Sequence, residues 1–218
     1  MEKQVLQIKV CGLKYPKNQA LIAKLEVDYA GFIFYKKSAR YTLRISEKIP
    51  PNTKKVGVFV NASVNEVAQK VKEFGLDVVQ LHGKEDLLYV RELQLKLYAK
   101  ELNHVKIWKA IAVKTASDLE IIQTFDTKVD AILLDAKGPL PGGNGTKFDW
   151  DLLDDLHIQS PLILSGGIKI DDTEQINKLR DNNKIWGVDI NSGFEINPGL
   201  KDFGRIKRFV EEVKNEVV

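Results

Sequence analysis

The feature that most constrains this chain is a series of short runs rich in aliphatic, β-branched and aromatic residues, repeated along its whole length. Successive runs start roughly 20 to 30 residues apart, which is enough for one strand, one helix and two loops per unit. Eight runs are predicted as strands, at residues 6–10, 29–34, 56–60, 77–81, 105–110, 131–134, 162–164 and 186–190. The series predicts repeated βα units that build a parallel sheet.

Several intervals between these runs have the apolar periodicity of amphipathic helices. Val64, Val67, Val71 and Phe74 fall at helical spacing, and Gly75 is placed to end that helix. An apolar stripe at positions 203, 206, 210, 213 and 217 predicts a last helix. Residues 41–53 contain two adjacent prolines, so this interval has room only for a short or broken helix.

The number and spacing of the units favour one closed barrel. With 218 residues, of which 44% are hydrophobic, the chain is long enough to bury a substantial core. No long linker or change in composition divides it, so a single-domain (β/α)8 TIM barrel over residues 1–218 is predicted. An open doubly wound sheet is the alternative. Against it, the first strand is followed by CGLKYP and not by a glycine-rich dinucleotide fingerprint.

Charge and cysteine content exclude several classes of function. The 33 basic and 30 acidic residues are interspersed and leave a net charge of +3, which does not indicate nucleic acid or a membrane surface as a partner. The single cysteine cannot form an intrachain disulfide or a thiolate zinc cluster. The N-terminal residues lack the apolar segment of a signal peptide, so a cytoplasmic protein is expected.

Polar and small residues stand where the predicted strands end. Active sites of parallel α/β barrels lie at the carboxyl ends of the strands, so these residues are the first candidates for a site. The candidates are Cys11, Gln80, His82, Asp135, Gly166, Gly167, Asp189, Asn191, Ser192 and Gly193. If they point into the barrel, they converge on one pocket.

Strand alternation adds pairs that should share a face of the sheet. Gln80 is two residues before His82, and Lys9 is two residues before Cys11. A lysine so close to the thiol could lower a cysteine pKa that is ordinarily about 8.5. A lone cysteine is more often a small buried hydrophobe than a catalyst, so this remains a hypothesis. His82 has no second histidine or acidic cluster at ligand spacing, and no metal is predicted.

Phosphate is the ligand class that the glycines favour. Glycines after the seventh and eighth strands would expose backbone N–H groups at the usual phosphate position of such barrels. Residues 193–199 have room for a short helix that could point its positive end at the same place. The glycine-rich stretch 141–145 is either a connector or an active-site loop, and its composition does not decide between them.

Segments from almost the whole chain resemble one family, the phosphoribosylanthranilate isomerases of tryptophan biosynthesis. Each segment alone is weak, but their order and register are specific. They are IKVCGL at 8–13, GFIFYKKSARYT at 31–42, VGVFVN at 56–61, VVQLHGKED at 78–86, ILLDA at 132–136, GGNGTKFDW at 142–150, LILSGGI at 162–168 and GVDINSGFE at 187–195.

The resemblance implies an Amadori rearrangement of N-(5′-phosphoribosyl)anthranilate, without metal or organic cofactor. By motif, Asp135 is implied as the general acid that opens the ribose ring, and Cys11 as the general base that removes the C2′ proton. An acid and a base with pKa values displaced in opposite directions, raised for the carboxyl and lowered for the base, suit this chemistry. Arg40 is implied as the partner of the anthranilate carboxylate.

The remaining implied site residues bind or surround the substrate. Gly166, Gly167, Ser192 and Gly193 correspond to the phosphate site. The implied pocket positions are Gln80, His82, Asp189 and Asn191. The expected partner is a small phosphorylated molecule, and monomer or homodimer remain equally open.

Other phosphosugar barrels are the competing interpretation. They include ribulose-phosphate epimerase, a histidine-pathway isomerase and indole-glycerol-phosphate synthase. The first would need clustered metal ligands, and the second has an aspartate where this chain has Cys11. A non-catalytic phosphometabolite-binding barrel is a further alternative, against which both Cys11 and Asp135 argue.

Overall fold

The computed structural model describes residues 5–138 and 147–214. Within them, eight parallel strands pair in chain order, and β8 pairs with β1, so the sheet closes into a barrel. The strands are β1 Gln7–Val10, β2 Tyr29–Ile33, β3 Lys54–Phe59, β4 Val78–Leu81, β5 Lys106–Val113, β6 Ala131–Ala136, β7 Leu162–Ser165 and β8 Gly187–Ile190. Every run predicted as a strand overlaps one of them, and the predicted (β/α)8 barrel is confirmed.

Helices follow most strands and cover the outside of the barrel. They are α1 Pro16–Ile22, α2 Val64–Phe74, α3 Leu87–Tyr98, α4 Ile122–Phe125, α5 Thr173–Asp181 and α6 Phe203–Lys214. The predicted end of α2 is confirmed, because Gly75 adopts the left-handed conformation with φ of 57°. The predicted last helix is α6; position 217 of its apolar stripe lies outside the described residues.

Two units depart from the ideal repeat. Residues 34–53, all of them described, contain no helix, although the sequence left room for a short or broken one over 41–53. The unit after β6 has a short 3₁₀ helix, Trp150–Leu153, whose start is capped by Asp149 accepting the N–H of Asp151. Because residues 34–53 form a loop and not a helix, side chains of the loop after β2 can extend across the barrel mouth.

Alternation along the strands sorts the side chains into two cores. One surrounds the barrel, between the sheet and the helices. A smaller one fills the barrel interior and is made by Val56, Val78, Trp108, Ala110, Ala131, Leu133 and Ile163, with Tyr29 and Trp186 packed against it. The rings of Tyr29 and Trp108 meet edge to face at 4.8 Å. The amino end of the barrel is therefore packed, and polar interior side chains occur toward its carboxyl end.

A hairpin follows β8 before the last helix. A three-residue 3₁₀ helix, Ser192–Phe194, leads into β9 Glu195–Asn197 and β10 Leu200–Lys201, which pair antiparallel. Residues 193–199, where the sequence left room for a short helix, are thus mostly part of this hairpin. Gly199 has φ of +85° and forms the turn of this hairpin, a conformation that glycine adopts without strain.

Candidate active site

A cavity of about 650 Å³, including its open mouth, lies at the carboxyl ends of the strands. Its walls come from the first three and last three strands, from His82 after β4, and from the loops that follow. The lining residues are Cys11, Ile33, Tyr35, Ser38, Arg40, Val58, Val60, His82, Asp135, Ser165, Gly166, Gly167, Ile168, Asp189, Asn191, Ser192 and Gly193. Of the predicted site residues, the cavity brings together all except Gln80.

Cys11 lies directly after β1, beside a buried ion pair. Lys9 and Asp189 are register partners on β1 and β8, and Nζ of Lys9 is 2.8 Å from Oδ1 of Asp189. Both side chains are almost fully buried. Burial would lower the pKa of Lys9, but the charges and hydrogen bonds of Asp189 and Cys11 together outweigh burial and hold the lysine pKa above its usual value. Lys9 is therefore a fixed cation below the thiol.

The predicted shared face of Lys9 and Cys11 is confirmed by their contact with Gly31 on β2. A Cβ built on Gly31 would lie 3.1 Å from both Sγ of Cys11 and Cε of Lys9. The predicted lowering of the thiol pKa is wrong in its net direction. Burial raises the pKa of Cys11, and Lys9 lowers it without cancelling the effect of burial.

A hydrogen-bonded chain connects β4 to β6. Nε2 of Gln80 lies 3.0 Å from Nδ1 of His82, and Nε2 of His82 lies 3.1 Å from Oδ2 of Asp135. Because an amide nitrogen only donates, Nδ1 of His82 accepts and its Nε2–H donates to the carboxylate. Gln80 is fully buried and does not line the cavity, although it was predicted as a pocket residue. It is connected to the cavity through its hydrogen bond with His82.

Arg40 extends from the loop after β2 into the cavity wall and is held there by Glu195. Its Nε is 2.9 Å from Oε1 of Glu195, and its Nη2 is 2.7 Å from Oε2. Lys201 also contacts Glu195, with Nζ 2.8 Å from Oε1. Neither Glu195 nor Lys201 was predicted as a functional residue, and no local sequence signal joins them to Arg40.

One position in each of the loops after β7 and β8, Gly166 and Gly193, has no room for a side chain. Gly166 has φ of +87°, and a Cβ there would collide with the backbone nitrogen of Ala136. A Cβ on Gly193 would collide with the carbonyl oxygen of Ile168. The loops after β7 and β8 are therefore packed closely together at the predicted phosphate position.

An apolar wall completes the cavity on the side of β2 and β3, with Ile33, Tyr35, Val58 and Val60. These residues were not predicted as part of the site. Their alternation at the ends of two strands was the available signal, because Ile33 and Tyr35 share a face, as do Val58 and Val60.

The glycine-rich stretch 141–145 lies outside the described residues. Within residues 5–138 and 147–214, no His, Cys, Asp and Glu side chains are grouped to hold a metal ion. Over the same ranges no helix is long and apolar enough to cross a bilayer.

The chain is similar in sequence and in fold to proteins of one family. The profile of the N-(5′-phosphoribosyl)anthranilate isomerase family matches residues 8–212. The isomerase of that name from Parabacteroides distasonis is 37% identical, with 97% of this chain and 95% of the relative covered. The chain belongs to the phosphoribosylanthranilate isomerase family.

Solved structures of phosphoribosylanthranilate isomerases have the same fold. The enzyme from Thermotoga maritima superposes with a TM-score of 0.80 at 31% identity, covering 96% of this chain and 99% of that one. A second structure, at 29% identity and a TM-score of 0.79, covers 96% of this chain and 99% of that one. It holds reduced 1-(o-carboxyphenylamino)-1-deoxyribulose 5-phosphate. The predicted family, and the predicted class of an isomerase in tryptophan biosynthesis, are confirmed.

Proposed function

We propose that this enzyme rearranges N-(5′-phosphoribosyl)anthranilate to 1-(2-carboxyphenylamino)-1-deoxyribulose 5-phosphate, with Asp135 as general acid and Cys11 as general base. The observation that carries the proposal is that both groups line one cavity from β6 and β1, strands separated by two others on the shorter way round the barrel. A sugar ring between them would meet one group on each side.

The first step is opening of the ribose ring. Asp135 gives its proton to the ring oxygen, the bond from that oxygen to C1′ breaks, and the nitrogen lone pair forms a C1′=N iminium. The N–H of His82 holds Oδ2 of Asp135, which leaves Oδ1 as the oxygen that carries the transferred proton. Gln80 in turn fixes the tautomer of His82, so both residues position the acid.

The second step is removal of the C2′ proton. The thiolate of Cys11 takes this proton, and the electron pair of the C–H bond neutralises the iminium to give an enolamine. The enolamine then gains a proton at C1′ and loses the one on the C2′ hydroxyl, which yields the ketone. Since burial raises the pKa of Cys11, the thiolate is scarce near neutral pH but is a strong base once formed.

Three parts of the cavity suit the three parts of this substrate. Arg40 lines the cavity, and those of its N–H groups that are not bonded to Glu195 suit the anthranilate carboxylate. The wall of Ile33, Tyr35, Val58 and Val60 suits the aromatic ring. The closely packed loops with Gly166, Gly167, Ser192 and Gly193 suit the phosphate. Asp189 and Asn191 also line the cavity and suit the ribose hydroxyls.

The test uses the fluorescence of the anthranilate group. Substrate made in situ from anthranilate and phosphoribosyl pyrophosphate by the upstream transferase should lose fluorescence faster when this enzyme is present. Cys11→Ala and Asp135→Asn should each reduce kcat by about a hundredfold or more. Binding of the borohydride-reduced product should stay within a few-fold of the unaltered enzyme. Retained turnover in either variant would remove that residue from its proposed role.

A further inference from the structure

Arg40, Glu195 and Lys201 form a charged cluster behind the cavity wall, here called the Arg40 cluster. Glu195 accepts from Nε and Nη2 of Arg40, from Nζ of Lys201 at 2.8 Å, and from the N–H of Gly199 at 2.9 Å. The side chain of Lys201 is fully buried and that of Glu195 is 5% exposed, whereas Arg40 is 15% exposed. Only the arginine therefore reaches the cavity.

The charges in this cluster do not cancel. Burial would raise the pKa of Glu195, but the hydrogen bonds from Arg40 and Lys201 outweigh burial and hold the carboxyl pKa below its usual value. One carboxylate thus faces two basic side chains, Arg40 and Lys201. Burial lowers the pKa of Lys201 to about 8, so its ammonium group is mostly charged near neutral pH and loses that charge at higher pH. The excess positive charge lies next to the cavity, where an anionic group of the substrate could neutralise it.

The geometry of the pairing leaves one edge of the guanidinium open. Glu195 takes the Nε–H and one N–H of Nη2, which is the side edge of the planar group. Both N–H groups of Nη1 and the second N–H of Nη2 remain. One N–H of Nη1 and the remaining N–H of Nη2 are parallel and form the end edge of the guanidinium, which can hold a carboxylate with two hydrogen bonds.

Other contacts fix the positions of the side chains in the Arg40 cluster. Glu195 and Lys201 are partners across the β9–β10 hairpin, and Asn18 exchanges two hydrogen bonds of 2.9 Å with the backbone of Lys201. Nζ of Lys201 is also 2.7 Å from Oδ1 of Asn191, which lines the cavity. Gly12 supplies the space that Arg40 crosses, since a Cβ there would lie 2.7 Å from Cδ of the arginine.

We infer that Glu195 is a positioning residue that sets specificity for the carboxylate of the substrate. It holds Arg40 by its side edge so that the end edge faces the cavity, and Lys201 keeps the cluster positive so that an anion is favoured there. This inference rests on the contact between Arg40 and the anthranilate carboxylate proposed above. The opposite role, in which Glu195 only neutralises Arg40, predicts that its removal would tighten carboxylate binding.

The test compares two ligands that differ only in the carboxylate. One is the borohydride-reduced product, and the other is its analogue with phenylamino in place of 2-carboxyphenylamino. The ratio of their Kd values, measured by titration calorimetry, is the carboxylate preference. We expect Glu195→Gln and Arg40→Ala each to reduce this preference by about tenfold, with the affinity for the phenylamino ligand unchanged.

Controls separate positioning from a purely structural effect. Glu212→Gln is the matched control, because Glu212 also pairs with an arginine, Arg208, but on the outer helix α6. It should leave the preference unchanged. If Glu195→Gln loses its native circular dichroism, the carboxylate preference is measured in Glu195→Asp instead. Aspartate keeps the negative charge on a side chain that is one methylene shorter. We expect an intermediate loss of preference in Glu195→Asp.

The outcomes distinguish this inference from the proposed function. If Arg40→Ala leaves the preference intact, the proposed contact between Arg40 and the carboxylate fails. If Arg40→Ala removes the preference but the Glu195 variants keep or increase it, only the positioning role fails. A parallel loss of affinity for both ligands in the Glu195 variants would also overturn that role, because a structural defect has no reason to favour one ligand.

Discussion

Nε2 of His82 lies 3.1 Å from Oδ2 of Asp135, and the opposite ring nitrogen is held by Gln80 at 3.0 Å. The orientation of the carboxyl group at the end of β6 is therefore set by two residues of β4 and its following loop. A histidine without Gln80 could rotate or change tautomer, and it would then no longer donate to Asp135.

Removing this support should slow the chemical step. We expect His82→Ala to lower kcat by about a hundredfold, because the acid loses its fixed orientation, with a smaller change in KM. Gln80→Leu should lower kcat less, and should add nothing when His82 is already alanine. Steady-state fluorescence assays would measure both. His104→Ala alters an exposed histidine and is the control. An additive loss of kcat in the double variant would contradict the hydrogen-bonded connection from Gln80 through His82 to Asp135.

The thiol of Cys11 should titrate above the range of an ordinary cysteine. Iodoacetamide reacts with the thiolate, and burial raises the pKa of Cys11, so the reactive form appears only at higher pH. We expect the pH midpoint of alkylation to be higher in the native enzyme than in the urea-unfolded chain. A native midpoint at or below the unfolded one would show that burial does not dominate.

Lys9 should oppose this shift. Because its charge lowers the pKa of Cys11, removing it should raise the alkylation midpoint further. The comparison is made between Asp189→Asn and the double variant with Lys9→Met, because Lys9→Met alone would leave the carboxylate of Asp189 buried without its cation. A lower alkylation midpoint in the double variant would show that Lys9 raises the pKa of Cys11 and does not lower it.

The contact between the loops after β7 and β8 predicts a specific loss of phosphate binding. Gly193→Ala places a Cβ against the carbonyl of Ile168, so the two loops must separate. We expect KM to rise at least tenfold, with a matching loss of inhibition by inorganic phosphate. Gly204→Ala is the control, because its Cβ would have only one neighbour within 4 Å, Oδ1 of Asp202 at 3.5 Å. Equal effects of both substitutions would refute the phosphate role.

A second buried ion pair should matter for stability. Nζ of Lys109 is 3.0 Å from Oε2 of Glu85. The same carboxylate accepts the N–H of Asn61 at Oε1 and the N–H of Gly83 at Oε2. Lys109→Met leaves this carboxylate buried without its cation and should reduce the free energy of unfolding by about 3 kcal/mol. Lys106→Met removes an exposed pair on the same strand and should cost at most about 1 kcal/mol.

Urea unfolding measures both of these changes. Adding Glu85→Gln to Lys109→Met should recover part of the stability, because the unpaired charge is then removed. Similar losses in Lys109→Met and Lys106→Met would contradict the structural role of the buried pair.

The parts of the site that follow from local pattern were predictable from the sequence. Cys11 and Asp135 each end an apolar run, and the closed barrel places such ends around one mouth. The shared faces of Gln80 with His82, and of Lys9 with Cys11, follow from the two-residue period of a strand. These features need only the sequence of one strand and the closure of the sheet.

The parts that depend on distant contacts or on a balance of energies were not predictable. Arg40 and Glu195 are 155 residues apart in the chain. The hairpin that places Glu195 beside Lys201 was not predicted, because the sequence of residues 193–199 indicated only room for a short helix. The direction of the Cys11 pKa depended on burial, which is larger than the effect of Lys9 and cannot be judged from spacing.

The central claim, that Asp135 opens the ring and Cys11 then removes the C2′ proton, is tested most directly by a hydrogen isotope effect. Substrate carrying deuterium at C2′ would be turned over by Cys11→Ser and by Asp135→Asn. Slowed proton removal in Cys11→Ser should give a large primary isotope effect on kcat. Slowed ring opening in Asp135→Asn should give an effect near unity. A large effect in Asp135→Asn together with none in Cys11→Ser would contradict the assignment.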